Sequence, residues 1–336
     1  MEIQQIQLGK NGPAVSRVAL GCMAMSGMYG PSDEAESIAT IHAALDAGIN
    51  LLDTGDFYGM GHNELLLGRA LEGRRHEALI SVKFGAMRAP NGAWLGVDGR
   101  PQAVKNALAY TLQRLRTDHV DIYRLARVDP AVPIEETVGA IAEMIQAGYV
   151  RYVGLSEAGP ATIRRAVATH PICDLQIEYS LASRGIESAI LPATRELGIA
   201  ITAYGLLSRG LLTGSPIGKP GDFRVHLPRF KGENLERNQA LIADLALLAG
   251  ERDSTPAQIA IAWALTKGDD ILPLIGARTR PQLHDSLSAL AVRLSPDDVA
   301  RLEHIGAQVA GTRYDPAQMQ MLDSERNSEV RSQKSE

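Results

Sequence analysis

Short apolar runs alternate with amphipathic stretches along most of this chain. The runs lie at residues 18–20, 49–52, 79–82, 120–123, 150–155, 175–177, 199–202 and 271–275. Each has the length of a buried strand rather than of a helix. The stretches between them carry helix signals. Ser32 or Asp33 can cap a helix over 34–47, and Ala47-Gly48 stops it. Pro133 opens another over 133–147, with Gly148 after its end. Strands that alternate with helices form parallel βαβ units. Eight such units favour a closed (β/α)₈ TIM barrel, an α/β fold, over an open doubly wound sheet. Ahead of the first unit, Ile3, Ile6 and Leu8 lead through Gly9-Lys10-Asn11-Gly12 to Val15, the pattern of an N-terminal β-hairpin. Residues 214–238, rich in Gly, Pro and Arg, read as a long functional loop. A loop and helix extension follows the last strand. The chain thus reads as one barrel domain over 1–322 with a polar, mobile tail over 323–336.

Composition narrows the partners. With 336 residues the chain can bury a large core. A hydrophobic fraction of 45%, a charged fraction of 22% and a net charge of −5 describe a soluble globular protein. They speak against nucleic acid or an anionic membrane as partner. The N-terminus shows no signal peptide, and no apolar run approaches the ~20 residues that span a bilayer. Cys22 and Cys173 form no C-x-x-C pair, so they read as reduced thiols of a cytoplasmic protein. The eight histidines lack metal-ligand spacing, and no metal is expected.

A barrel carries its chemistry at the C-terminal ends of its strands. Asp53 ends the second apolar run, Tyr58 follows five residues later, and Lys83 ends the third run. A lysine closing an apolar strand is costly unless it meets a carboxylate, and Asp53 stands on the adjacent strand. Lys83 or Asp53 alone could equally be a buried pair that only closes the barrel. The three together are harder to explain that way. An ammonium beside a phenol favours the phenolate and turns a weak proton donor into a usable general acid. Gly59-Met60-Gly61-His62-Asn63-Glu64 starts like a dinucleotide fingerprint but ends in Glu and follows Tyr58 rather than a strand, and Gly214-Ser215-Pro216-Ile217-Gly218-Lys219-Pro220 imitates a phosphate loop but is one residue short and lacks Ser or Thr after Lys219.

The segment Gly48-Ile49-Asn50-Leu51-Leu52-Asp53-Thr54-Gly55-Asp56-Phe57-Tyr58-Gly59, with Asn63-Glu64 beyond it, resembles the signature of the aldo-keto reductases. So do Val153-Gly154-Leu155-Ser156 and Gln176-Ile177-Glu178-Tyr179-Ser180. The segment 203–211 is similar to the bacterial and potassium-channel-β-like branch. The resemblance implies an NAD(P)H-dependent oxidoreductase that reversibly reduces aldehydes or ketones to alcohols. Tyr58 would be its general acid, tuned by Lys83 and Asp53. One position departs from the pattern. In Asp121-Ile122-Tyr123-Arg124-Leu125-Ala126-Arg127-Val128-Asp129, Ala126 stands where the family has the histidine that orients the carbonyl. The flanking residues argue against a slip of register. An introduced substitution is favoured over a natural subfamily variant, since Asp53, Tyr58 and Lys83 are all kept. Turnover should be impaired by roughly 10²–10³. The alternative is an NADPH-binding regulatory or sensor subunit with slow turnover.

The resemblance also implies a cofactor site. Cys22, Met23 and Asp53 would border it. Ser156 and Gln176 would hold the nicotinamide carboxamide, and Tyr204 would stack on the ring. Gly205, Leu206, Leu207, Ser208, Arg209 and Gly210 would pass the pyrophosphate. Gly276, Arg278, Gln282, Asp285 and Ser286 would take the adenosine end, with Arg278 on a 2′-phosphate, which favours NADPH over NADH. A pocket for a small carbonyl or alcohol substrate would be lined by Met25, Tyr29, Phe57, Met87, Trp94 and Arg127. Relatives of this kind also form homo-oligomers.

Overall fold

The hairpin signal yields strands β1 (Gln5–Gln7) and β2 (Ala14–Ser16), paired antiparallel. In this computed structural model, residues 3–27, 30–217 and 222–326 are described. Leu8 and Val15 of the hairpin are fully buried against Ala19, Leu51, Ile122, Cys173, Ala200 and Leu272, which closes the N-terminal end of the barrel. Gly9 takes φ +61°, and a Cβ there would stand 2.3 Å from the Cys173 carbonyl oxygen. Only glycine lets the turn lie this close to the barrel floor.

Eight parallel strands close the barrel, as the apolar runs predict. They are β3 (Ala19–Gly21), β4 (Leu51–Gly55), β5 (Leu79–Phe84), β8 (Val120–Leu125), β9 (Val150–Ser156), β10 (Ile172–Glu178), β11 (Ala200–Tyr204) and β12 (Ile271–Gly276). A ribbon, β6 (Ala86–Arg88) with β7 (Trp94–Val97), stands on the end of β5 and has no counterpart among the apolar runs. The surrounding helices include α1 (Glu34–Asp46), α2 (His62–Ala70), α3 (Pro101–Leu115), α4 (Ile134–Gln146), α5 (Pro160–Thr169) and α6 (Ile190–Leu197). Asp33 caps α1 by accepting from the Glu36 N–H at 2.7 Å. After β11 come α7 (Gly232–Glu251) and α8 (Pro256–Leu265). α9 (Arg280–Ser288), α10 (Pro296–Ala307) and α11 (Pro316–Gln320) follow β12.

Two boundaries shift. The long loop after β11 ends at Lys231, because residues 232–238 already belong to α7 and Asn238 is buried. Of the expected tail, residues 327–336 lie outside the described residues, while 323 and 324 are held to the barrel. Asp323 accepts from the Gly159 N–H at 2.7 Å, and the Ser324 N–H donates to the Glu157 carbonyl at 3.1 Å.

Between the apolar floor and the upper rim, the barrel interior is polar. Arg124 on β8 is fully buried, donates to Asp174 at 2.9 Å and to Ser81 at 2.9 Å. Thr202 donates to the same Asp174 carboxylate. Room for the guanidinium comes from Gly154, whose Cβ would lie 2.9 Å from Arg124 Cζ. Two of the three guanidinium nitrogens are engaged, and among the described residues the buried Nε has no partner.

Candidate active site

Asp53, Ser81 and Lys83 come together because β4 and β5 pair with Asp53 opposite Ser81. Lys83 Nζ binds Asp53 Oδ1, Ser81 Oγ donates to Asp53 Oδ2 at 2.9 Å, and Gln176 Nε2 donates to the same oxygen at 2.7 Å. All four are buried. Burial pushes the Lys83 ammonium down and the Asp53 carboxylate opposes this, while Arg124 and Arg127 add to the lowering. Lys83 Nζ also lies 5.1 Å from the centre of the Tyr58 ring. Tyr58 is 7% exposed and stands edge-on to Phe57 at 4.8 Å. The three residues singled out in the sequence thus meet at the C-terminal rim.

The loop that carries Tyr58 is itself anchored. Thr54 donates to Asn63 at 2.7 Å, and Asn63 donates to the Cys22 carbonyl at 2.8 Å and to Ser26 at 2.7 Å. Glu64 is buried and takes bonds from Thr111 and Arg114. The Asn63-Glu64 part of the signature is therefore structural here. Asp56 accepts from the Gly85 N–H at 3.2 Å, while its Oδ1 is buried with no hydrogen-bond partner. Burial pushes the Asp56 carboxyl up to about 7, against the bond from Gly85.

Ala126 is 1% exposed, and its N–H donates to the Phe84 carbonyl at 2.8 Å. Its methyl is enclosed rather than facing an opening. Next to it, Arg127 is half-buried and donates to the Ala126 carbonyl at 2.6 Å.

Groups suited to a nicotinamide dinucleotide line the opposite side. Ser156 Oγ is buried with no hydrogen-bond partner among the described residues, as suits a hydroxyl that binds a carboxamide. Gln176 faces it in register across β9 and β10. The Tyr204 hydroxyl donates to Glu157 at 2.7 Å, which fixes its ring as a wall. After β11, Gly205 takes φ +70° and Ser208, Arg209 and Gly210 take φ +47°, +60° and +86° in succession. Two non-glycine residues in the left-handed region are strained, a cost that clusters where backbone must present itself to a ligand. Leu206 is buried and Leu207 half-buried beneath this turn. Arg209 itself turns inward, 3.4 Å from Glu178 and 4.6 Å from the Tyr314 ring.

At the adenosine end, Gly276 opens onto free space and the Arg278 N–H donates to Gln282 Oε1 at 3.1 Å. The Arg278 guanidinium reaches the Pro31 carbonyl at 3.4 Å. Arg280 is engaged by Glu36 at 2.9 Å. Asp285 accepts from Gln258 at 2.7 Å and from Thr255, so it braces the start of α8. Ser286 is buried.

The residues expected to line the substrate pocket differ in exposure. Met25 is 1% exposed and packs in the apolar core. Cys22 is also fully buried, and Met23 is half-buried. Burial pushes the Cys22 thiol up, which leaves it unreactive. Tyr29 lies outside the described residues. Phe57 stays at the rim, and Met87 and Trp94 ride on the β6–β7 ribbon, each 39% exposed.

Sequence reasoning missed one cluster. Glu157 follows Ser156 with φ +52° and is fully buried. Arg313 binds both its oxygens, at 2.8 and 2.5 Å, and Ser324 donates to it at 2.9 Å. Burial alone would raise the Glu157 carboxyl. Arg313, with Arg127 and the Tyr204 hydroxyl, pulls it down to about 2. The signal was a lone acid directly after the Ser156 motif. Its partner lies 156 residues away, where no local pattern points to it.

A closed parallel barrel with a Lys–Asp–Tyr cluster at its C-terminal rim defines a class of oxidoreductase. The chain belongs to the aldo/keto reductase family, whose model matches residues 17–307. Members of this family use NAD(P)H. The chain is 41% identical over 322 residues to probable aldo-keto reductase 1 of Glycine max, covering 93% of this chain and 92% of that one. Its fold is similar to the glycerol dehydrogenase of Gluconobacter oxydans, with TM-score 0.82, 29% identity and 94% and 97% of the two chains covered. It is also similar to an aldo-keto reductase of Bacillus halodurans in its holo form, with TM-score 0.76, 27% identity and 94% and 99% covered. Among the described residues, no helix is long and apolar enough to cross a membrane, and no cluster of His, Cys, Asp or Glu could hold a metal ion.

Proposed function

We propose that the protein reduces aldehydes or ketones to alcohols with NADPH, reversibly, and that Tyr58 is the general acid. The observation that carries this reading is Lys83, which binds Asp53 and stands 5.1 Å from the Tyr58 ring. Asp53 is held by Ser81 and Gln176 as well, so the ammonium cannot drift from the phenol. A fixed cation stabilises the phenolate that remains when Tyr58 gives its proton to the carbonyl oxygen. The bound cofactor supplies the hydride to the carbonyl carbon. Ser156 would bind the carboxamide and Tyr204 would back the ring. The left-handed turn 208–210 would present its backbone to the pyrophosphate. Arg278, whose N–H donates to Gln282 at the start of α9, would take a 2′-phosphate with its guanidinium fork, and on that reading NADPH is used in preference to NADH.

Ala126 supplies no hydrogen bond to the carbonyl, so turnover is slow relative to an enzyme with a donor there. Two buried free thiols fit a cytoplasmic location, and the potassium-channel-β-like segment at 203–211 fits a bacterial enzyme of that branch. The test is loss of NADPH absorbance with a panel of aldehydes and ketones. Consumption by the wild type, with a drop of about 10³-fold in Tyr58→Phe at unchanged fold, is the expected result. Tight NADPH binding without turnover of any carbonyl would instead make the protein a cofactor sensor.

A further inference from the structure

Cations crowd the C-terminal rim, and most are already paired. Lys83 binds Asp53, Arg124 binds Asp174, Arg313 binds Glu157, and Arg209 and Arg229 both approach Glu178 at 3.4 Å. Arg127 is different. It is half-buried, it donates to a single main-chain carbonyl, and among the described residues no carboxylate lies within 4 Å of it. The nearby Glu157 is saturated by Arg313, Tyr204 and Ser324. A guanidinium withdrawn from water with most of its donors free is costly unless an anion completes it.

We propose that Arg127 receives a carboxylate of the substrate, so that this protein reduces short oxo acids in preference to neutral carbonyls. Arg127 directly follows Ala126 at the end of β8, beside the Lys83–Tyr58 cluster, so the carboxylate it takes lies close to the carbonyl being reduced. The planar fork of arginine matches a carboxylate with two parallel hydrogen bonds. A phosphate would bring about two charges, and the neighbouring cations are committed to their own partners. The proposal also accounts for the missing histidine, and it makes Ala126 a natural variant rather than an introduced substitution. A substrate held by its carboxylate is oriented without a second donor on its carbonyl oxygen, and a small residue at 126 leaves Arg127 unobstructed. Burial opposes the charge on Arg127 and the Glu157 carboxylate favours it, and the guanidinium remains protonated at neutral pH.

This inference rests on the reductase reading, so two measurements separate them. The first compares kcat/KM for pyruvate against methyl pyruvate and for succinic semialdehyde against its methyl ester. Wild type, Arg127→Met and Arg127→Lys are assayed with NADPH. The wild type should favour each acid over its ester. Arg127→Met should lose about 100-fold on the acids and less than about 3-fold on the esters, with partial rescue in Arg127→Lys. The second needs no turnover. Butanoate, added to protein saturated with NADP+, should raise the melting temperature of the wild type and not of Arg127→Met, and butanamide should raise neither. Equal use of acid and ester by the wild type, equal loss on both in Arg127→Met, or a butanoate shift that survives Arg127→Met overturns the proposal. So does weakened NADPH binding in Arg127→Met with acid preference intact, which would give the guanidinium to the cofactor. Absence of all turnover with an Arg127-dependent butanoate shift would sink the reductase reading and leave the carboxylate site standing.

Discussion

Two ion pairs buried at the rim of this barrel differ in what they leave available, and on the proposed function they do different work. In Lys83–Asp53 the side chains are 4% and 3% exposed, and in Arg313–Glu157 they are 6% and 0% exposed. Burial does not tell them apart. What does is the capacity left over. Glu157 has both oxygens taken, by Arg313, Tyr204 and Ser324, and Arg313 also binds Glu325 at 2.9 Å. That pair is closed, and it clasps the C-terminal segment onto the loop after β9. Asp53 is likewise saturated, but its partner Lys83 keeps its charge next to an aromatic alcohol. A buried charge is functional where it is oriented by one partner and offered to another group, and structural where every partner is internal.

Substitution should separate the two. Lys83→Met ought to reduce turnover by about 10³-fold or more, because Tyr58 loses the cation that stabilises its phenolate. It should also leave Asp53 buried without compensation and lower unfolding free energy by about 3–5 kcal/mol. Steady-state rates together with denaturant melts would show both, and a stable, fully active variant would end the distinction drawn above.

Arg313→Met should be comparably destabilising, about 3–5 kcal/mol, because it strands Glu157. Its effect on turnover should be the smaller one. The clasp also has a pH signature. The Glu157 carboxyl is held down at about 2 in the folded protein, so its contribution is complete above the ordinary carboxylate range. That contribution fades as pH falls from there toward about 2. Wild-type melting temperatures should drop across that window more steeply than those of Glu157→Gln; parallel curves would remove Glu157 from the account.

Ala126→His tests the missing donor. It should raise kcat/KM for neutral carbonyls by about 10²-fold. The methyl it replaces is enclosed, so the imidazole should also lower stability by about 1–3 kcal/mol through overpacking. A gain in stability with no gain in rate would show that the position was never part of the site.

The smallest effect on turnover belongs to Asp56. Its folded pKa, about 7, lies above its unfolded value. The stability linked to its proton is therefore full below the unfolded pKa and lost as pH rises through about 7. Asp56→Asn should be more stable than wild type at pH 8 by on the order of 4 kcal/mol, and the advantage should vanish near pH 4. A pH-independent difference would mean that the orphaned Oδ1 has a partner in solution.

The order of apolar runs and helix signals is enough to specify the barrel, and it places Asp53 and Lys83 at adjoining strand ends. Eight apolar runs with helix signals between them require parallel units, and the strand ends carry Asp53 and Lys83 because strand pairing is a local, periodic relation. The hairpin was legible for the same reason. Tertiary structure alone decided which polar residues are committed. Met25 and Cys22 follow a strand as pocket residues would, yet the first turn folds them into the core. Arg209 and Asp285 carry the right chemistry for a nucleotide, yet Glu178 and the start of α8 engage them. The Glu157–Arg313 clasp and the Arg124–Asp174 network join residues 156 and 50 positions apart. Hydrogen-bond saturation depends on distance in space, and periodicity along a chain carries no information about partners that far apart. By the same logic no local pattern shows that Arg127, bonded to the Ala126 carbonyl, has no carboxylate within 4 Å among the described residues.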